Sequence, residues 1–113
     1  MTTIFEKIIK REIPATVHYE DEEVICIDDK YPQAPVHFLV ITKKVIPSIH
    51  ELESDDYCLL GRIFDVIKSV AVKLEIDNSY RVLTNHGSGA GQTIPHLHFH
   101  VLGGGKLGSK GIK

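Results

Sequence analysis

Apolar and polar positions along this chain follow two periods. From Pro95 to Leu102 they alternate, which predicts a half-buried strand with Leu97, Phe99 and Val101 on its core face. His96, His98 and His100 then share the opposite face, and Pro95 stands at the first strand position, where proline is tolerated. Val36–Thr42 is apolar almost throughout and predicts a central strand with His37 inside it. Thr16–Glu20 and Glu23–Asp28 predict two strands joined by a tight Asp21-Glu22 turn, and Ser79–Asn85 predicts a fourth. The second period is helical. Leu60, Ile63, Phe64, Ile67, Val70, Ala71 and Leu74 recur every three or four residues, predicting one amphipathic helix from Asp55 to about Leu74 with Ser54 as its cap. A shorter stripe, Ile4, Phe5, Ile8 and Ile9, follows a Thr3-x-x-Glu6 capping box and stops before Pro14. Ser48-x-x-Glu51 predicts one further helical turn. Tyr31–Pro35, with two prolines, reads as a rigid loop, and His86–Gln92 as a glycine-rich turn. Five strands, one long helix and one short N-terminal helix predict an α+β fold. Its five-stranded antiparallel sheet carries the helices on one face and the histidines on the other.

Composition narrows the class without naming a chemistry. The 113 residues predict a single domain over 1–113, with 103–113 a loose glycine-rich tail. An apolar fraction of 42% and a charged fraction of 25% are ordinary for a globular protein. A net charge of -2 gives no pull toward nucleic acid or an anionic membrane. The start of the chain lacks a basic region followed by an apolar one, and Cys26 and Cys58 have no paired spacing. Two reduced, buried thiols in a cytoplasmic protein are the expectation.

Three imidazoles in register ask for a chemical explanation. Along a strand, His96 and His100 lie roughly 13 Å apart at about 3.3 Å per residue. A zinc ion needs its ligand nitrogens at about 2.0–2.1 Å, so all three cannot easily share one. His96 and His98 could do so with further ligands from Asp28, Asp29 or His37. The alternative lies next door. Gly87, Gly89 and Gly91 precede the histidine strand, and such a turn can aim consecutive N–H groups at an anion. No Gly-Lys-Ser/Thr follows, and a strand rather than a helix comes next, so neither a P-loop nor a dinucleotide fingerprint is present. A phosphate cradle beside a neutral imidazole predicts phosphorus chemistry with His98 as nucleophile.

His96-Leu-His-Phe-His-Val-Leu102 resembles the alternating signature of the histidine triad (HIT) superfamily. Ile4–Ile9, Glu12–Ala15, Pro32–Ile41 and Leu102–Gly104 are similar to its Hint branch. The resemblance implies a HIT fold and a purine nucleoside phosphoramidase that cleaves P–N bonds in adenosine 5′-phosphoramidates through a nucleotidyl-histidine intermediate, with no cofactor and no metal. It makes His98 the nucleophile, with His96 and His100 supporting it and holding the phosphate, and His37 relaying or orienting. Asn85, Gly91, Gln92 and Thr93 match positions that contact the phosphate and leaving group. Asp29 matches the ribose position, and Ile4, Phe5, Ile8 and Ile27 match the apolar wall around the purine. A homodimer with a continuous sheet and an AMP-type nucleotide as partner are implied too. The chain departs from the branch at Lys30, at Val45 in place of a histidine, at Thr93 in place of a serine, and in having no tryptophan. Gln92-Thr-Ile-Pro95 is closer to the Fhit branch, which acts on dinucleoside polyphosphates. That leaves P–O–P hydrolysis, nucleotidyl transfer or a nucleotide-binding scaffold as alternatives.

Overall fold

The computed structural model describes residues 2–108. In chain order it contains α1 (Ile4–Ile9), β1 (Val17–Glu20), β2 (Val24–Asp28), β3 (Val36–Thr42), 3-10 turns at Ile49–Glu51 and Ser54–Asp56, α2 (Tyr57–Lys73), β4 (Tyr80–Leu83), a 3-10 turn at Ser88–Ala90, and β5 (His98–Gly103). The strands form one antiparallel sheet in the order β1-β2-β3-β5-β4. β3 lies at its centre, as its apolar run predicts.

Each helix packs on a different face of this sheet. α2 buries Leu59, Ile63, Val66, Ile67, Val70 and Ala71 against Val24, Cys26, Phe38, Val40, Leu97, Phe99 and Val101. Burying a large aliphatic side chain contributes roughly 1.5–3 kcal/mol, so tertiary contact outweighs propensity in fixing this helix. α1 packs Phe5 and Ile8 on the other face, over Ile25, Ile27, Leu39 and Ile41. The expectation that both helices share one face is therefore corrected. Thr3 and Glu6 form the predicted capping box, and the short helix it starts has an apolar side that only the histidine face can cover.

Three boundaries and one burial differ from the sequence reading. β5 begins at His98, because the His96 N–H turns back to the Ile94 carbonyl at 2.8 Å and Leu97 bonds instead to the Ile46 carbonyl at 2.6 Å. Ser54 is not the cap of the long helix. It opens a 3-10 turn, and buried Asp56 accepts there from the Glu53 N–H (3.1 Å) and Lys44 Nζ (2.5 Å). Cys58 is exposed; only Cys26 is buried, and burial pushes its thiol up to about 12. Gly103 belongs to β5 rather than to a loose tail. A Cβ there would stand 3.0 Å from Ile76 Cδ1 and 3.2 Å from the Ser79 carbonyl, so the close approach requires glycine. Residues 104–108 form no helix or strand, as the tail expectation has it, and its last part, residues 109–113, lies outside the described residues. Among the described residues, no helix is long and apolar enough to cross a membrane.

Candidate active site

β5 places His98 and His100 two residues apart on the α1 face, with Phe99 and Val101 buried on the other. Register with β3 sets Leu39 opposite His100 and His37 opposite Leu102. His37 and His100 are thus diagonal neighbours, within reach of long side chains across a sheet. Their rings lie 5.2 Å apart, and those of His98 and His100 lie 5.0 Å apart. Phe5 of α1 meets the His98 ring edge-on at 4.8 Å.

Hydrogen-bond partners fix where each imidazole carries its proton. His98 Nδ1 lies 2.6 Å from the His96 carbonyl. A carbonyl only accepts, so Nδ1 is the N–H, and neutral His98 carries its lone pair on Nε2. The Gln33 N–H donates to His37 Nδ1 at 3.0 Å, so neutral His37 holds its proton on Nε2. That nitrogen lies 3.0 Å from His100 Nδ1 and 3.2 Å from Asp29 Oδ2. His100 Nδ1 therefore accepts, and neutral His100 keeps its proton on Nε2. Burial lowers the affinity of His37, His98 and His100 for a further proton, with the Asp29 charge opposing it in each case. For His100 burial, His98 and His37 together bring the value down to about 4. All three are neutral at pH 7.

His96 does something else. It is completely buried, with Nε2 2.5 Å from the Thr42 carbonyl and Nδ1 3.3 Å from Thr3 Oγ1. The carbonyl requires an N–H, so Nε2 donates and Nδ1 accepts from the threonine hydroxyl. Both nitrogens are occupied, and His96 ties β3 to the start of α1 rather than holding phosphate as expected. The period-2 pattern misplaces it because the strand has not yet begun.

The glycine turn is also built differently from the expectation. N–H groups of Ala90, Gly91 and Gln92 bond to carbonyls of the turn itself, and that of Gly87 to Gln92 Oε1 at 2.8 Å. Four N–H groups of the predicted row are thus spent internally. Gln92 Nε2 donates to the Pro47 carbonyl at 2.7 Å and the Ile94 carbonyl at 3.1 Å. Its amide is thus engaged at both its oxygen and its nitrogen and staples the turn to the chain before α2. Gly91 has φ +93, a conformation that favours glycine, and half-buried Asn85 lies beside it. Thr93 is exposed where the turn ends. Of the expected purine wall, Phe5, Ile8 and Ile27 are buried core, whereas Ile4 is 42% exposed and has surface to offer. Lys30 is exposed and lies over the ring of Tyr31 at 5.9 Å.

Asp29 is half-buried against the imidazoles. Its Oδ1 accepts the Tyr31 N–H at 2.8 Å, and its Oδ2 also lies 3.8 Å from His100 Nδ1. Asp29, His37 and His100 bring ligand-type atoms within 4.8 Å of one another. A cation on His37 Nε2 would drive that proton to Nδ1, into the Gln33 N–H. The donor set does not fit a metal unless that bond is lost. Gln33, Thr42 and Thr3 are contributors that the sequence reading passed over. Gln33 and Thr42 act through backbone groups and leave no side-chain signal, while Thr3 was visible only as a cap.

A family model described as "Scavenger mRNA decapping enzyme C-term binding" matches residues 2–110. An uncharacterized HIT-like protein of Chlamydia muridarum is 49% identical over 109 residues, covering 96% of this chain and 86% of its own. The chain belongs to the histidine triad superfamily. Among solved structures, a HIT family hydrolase from Clostridium thermocellum superposes with a TM-score of 0.92 at 46% identity, covering 95% of this chain and 94% of that one. A histidine triad nucleotide-binding protein from Candida albicans gives 0.80 at 33% identity, over 95% and 84%. This HIT chain thus has the fold of hydrolases and nucleotide-binding proteins, and it gathers His98 and His100 of the motif with His37 of β3 at one place.

Proposed function

We propose that the protein cleaves P–N bonds of purine nucleoside 5′-phosphoramidates, with His98 Nε2 as nucleophile. The observation that carries this reading is the His98 Nδ1–H bond to the His96 carbonyl, which leaves a neutral imidazole with its lone pair on the outer nitrogen. Attack forms an Nε2–P bond and breaks the P–N bond of the substrate. The amine leaves with a proton drawn from water. The modified ring is positive, and its Nδ1–H stays on the His96 carbonyl, which favours that charge. Water then attacks phosphorus, the Nε2–P bond breaks, and the proton lost by water balances the one taken by the amine. His100, with Nε2–H, donates a hydrogen bond to a phosphoryl oxygen as negative charge builds there. Asn85, Gly91 and Thr93 flank the phosphate, Ile4 offers a surface to the base, and an AMP-type product is released. Residues of a neutral imidazole site perform all of this without a cofactor, in a cytoplasmic homodimer that binds neither nucleic acid nor membrane.

A second reading has its own support. The match to a decapping-enzyme model and the Gln92-Thr-Ile-Pro95 sequence favour P–O–P substrates attacked by the same nitrogen. Assay against adenosine 5′-phosphoramidate and diadenosine polyphosphates separates the two; higher kcat/KM on the phosphoramidate is expected. With a substrate chiral at phosphorus, two in-line displacements retain configuration. Inversion would mean direct attack by water and would remove His98 from the nucleophile's role.

A further inference from the structure

We propose that His86 is a positioning residue for phosphate binding, its Nδ1–H holding the head of the glycine turn on the buried hydroxyl of Ser48. The inference rests on the reading that Asn85 and this turn flank the phosphate beside His98.

Three consecutive residues ahead of α2 hold the whole stretch that leads to the nucleophile. The Ile46 carbonyl accepts the Leu97 N–H at 2.6 Å, the Pro47 carbonyl accepts from Gln92 Nε2 at 2.7 Å, and Ser48 Oγ lies 2.7 Å from His86 Nδ1. Between the last two anchors the turn is closed on itself. N–H groups of Ala90, Gly91 and Gln92 bond there to the Gly87 and Ser88 carbonyls. The turn therefore moves as a unit, and its two anchors decide where it stands. Gln92 anchors its end, and His86 anchors its head, one residue after Asn85.

The direction of each bond follows from what the atoms can give. Ser48 Oγ donates to Glu51 Oε1, a carboxylate oxygen, so the single hydroxyl proton is used there. The same Oγ accepts the His50 N–H at 3.2 Å. His86 Nδ1 is then the donor, and the neutral ring keeps its lone pair on Nε2. This chain of three side chains is not a hydrolytic triad: the carboxylate meets the serine rather than the imidazole, and Ser48 is 2% exposed. That burial makes the loss of either partner costly. The His50 ring stacks on His86 at 4.8 Å and 22°, and His50 belongs to the 3-10 turn that Ser48 caps. One hydroxyl thus sets both the hydrogen bond of the His86 ring and the ring that packs on it. Without the head anchor the turn hinges on Gln92 alone, and Asn85 drifts from the phosphate while the nucleoside surface at Ile4 is untouched.

Two substitutions at this exposed position test the bond. His86→Leu removes the donor, and His86→Asn keeps an N–H where Nδ1 stands. In His86→Leu, AMP affinity measured by calorimetry should fall about five- to tenfold, the scale of one hydrogen bond. Adenosine affinity, measured by NMR titration, and the thermal midpoint should hold. KM for adenosine 5′-phosphoramidate should rise with the AMP loss, while kcat changes less than about twofold. His86→Asn should restore most of the AMP affinity, and because asparagine carries no charge this separates the bond from any charge on the ring. Unchanged AMP affinity in His86→Leu overturns the proposal. So does an equal loss for AMP and adenosine with a lower midpoint, which would make the bond structural only, and so does His86→Asn behaving like His86→Leu. Wild-type protein that is inactive on the phosphoramidate yet shows the AMP–adenosine contrast would sink the phosphoramidase reading and leave the His86 anchor standing.

Discussion

His96 and His98 stand two residues apart and carry the same side chain, yet their neighbours give them opposite tasks. His98 has one nitrogen bonded and one open; His96 has both nitrogens engaged in a fully buried position. His98→Asn should therefore lower turnover roughly 10³-fold or more while AMP binding, measured by calorimetry, stays nearly intact. His96→Ala should act mainly on folding. It orphans the Thr42 carbonyl, a loss of about 1–3 kcal/mol readable as a lower urea midpoint. Activity of the folded fraction should survive better than in His98→Asn, and the reverse ranking would contradict these assignments. The same burial makes stability depend on pH. An unfolded histidine binds a proton near 6.5, whereas His100 in the folded protein waits until about 4. Between those values the unfolded state holds more protons, so stability is full above 6.5 and declines as pH falls toward 4. His100 alone contributes roughly 3 kcal/mol of that decline. Urea unfolding from pH 7 to pH 4 should show it, and His100→Gln should flatten the slope. Exhaustive EDTA treatment should leave activity unchanged, since His37 offers no lone pair outward at Nε2. Zinc that survives dialysis and restores lost activity on re-addition would refute that.

Elements explain why some of this could be read from the chain and some could not. β3 was legible to the residue, because a seven-residue run, apolar except for His37 and Thr42, leaves no competing period at the sheet centre. α1 was legible as a helix but not as a cover for the histidine face. Its stripe says that one side is buried, while the surface that buries it depends on where Thr3 meets His96, 93 positions along the chain. The Asp29 contact was hidden for a similar reason, since it needs the 29–35 loop to fold back and offer Gln33 N–H to His37. The glycine turn shows the limit of composition. Glycines allowed a nest, and the turn's own carbonyls took the N–H groups of Ala90, Gly91 and Gln92. Gln92 follows as a structural clamp with a functional readout. Gln92→Ala frees the Gly87 N–H and the Pro47 carbonyl at once. It should raise the KM for nucleotide through a loosened turn, with faster amide exchange at residues 87–91 and little change in thermal midpoint. A fall in kcat with the exchange unaltered would restore Gln92 to direct contact with the leaving group.

At the scale of the whole molecule, the sheet has two ends that differ in what they present. β1 is an edge of four residues broken by a register irregularity between Val17 and Tyr19, which discourages further pairing. β4 is the other edge, regular along its length against β5. Beside it α2 leaves Phe64 48% exposed and edge-on to Phe99 at 6.0 Å, and Val82 of β4 is 38% exposed. Val82 pairs with Val101, so it points to the face on which α2 lies. An apolar strip thus runs from helix to free strand edge, the combination that a two-fold partner can cover while its own β4 extends the sheet. The expected state is therefore a homodimer with one continuous sheet. Sedimentation should give twice the chain mass, and Phe64→Glu should give a monomer, because two carboxylates would be brought together across the axis without partners. The site residues His37, His98, His100 and Asp29 lie on the other face of the sheet, apart from this substitution. Activity lost in proportion to dissociation would mean that a partner contributes to the site; activity retained by the monomer would confine catalysis to one chain. A wild-type protein that sediments as a monomer at micromolar concentration would remove the dimer and leave Phe64 and Val82 in need of another explanation.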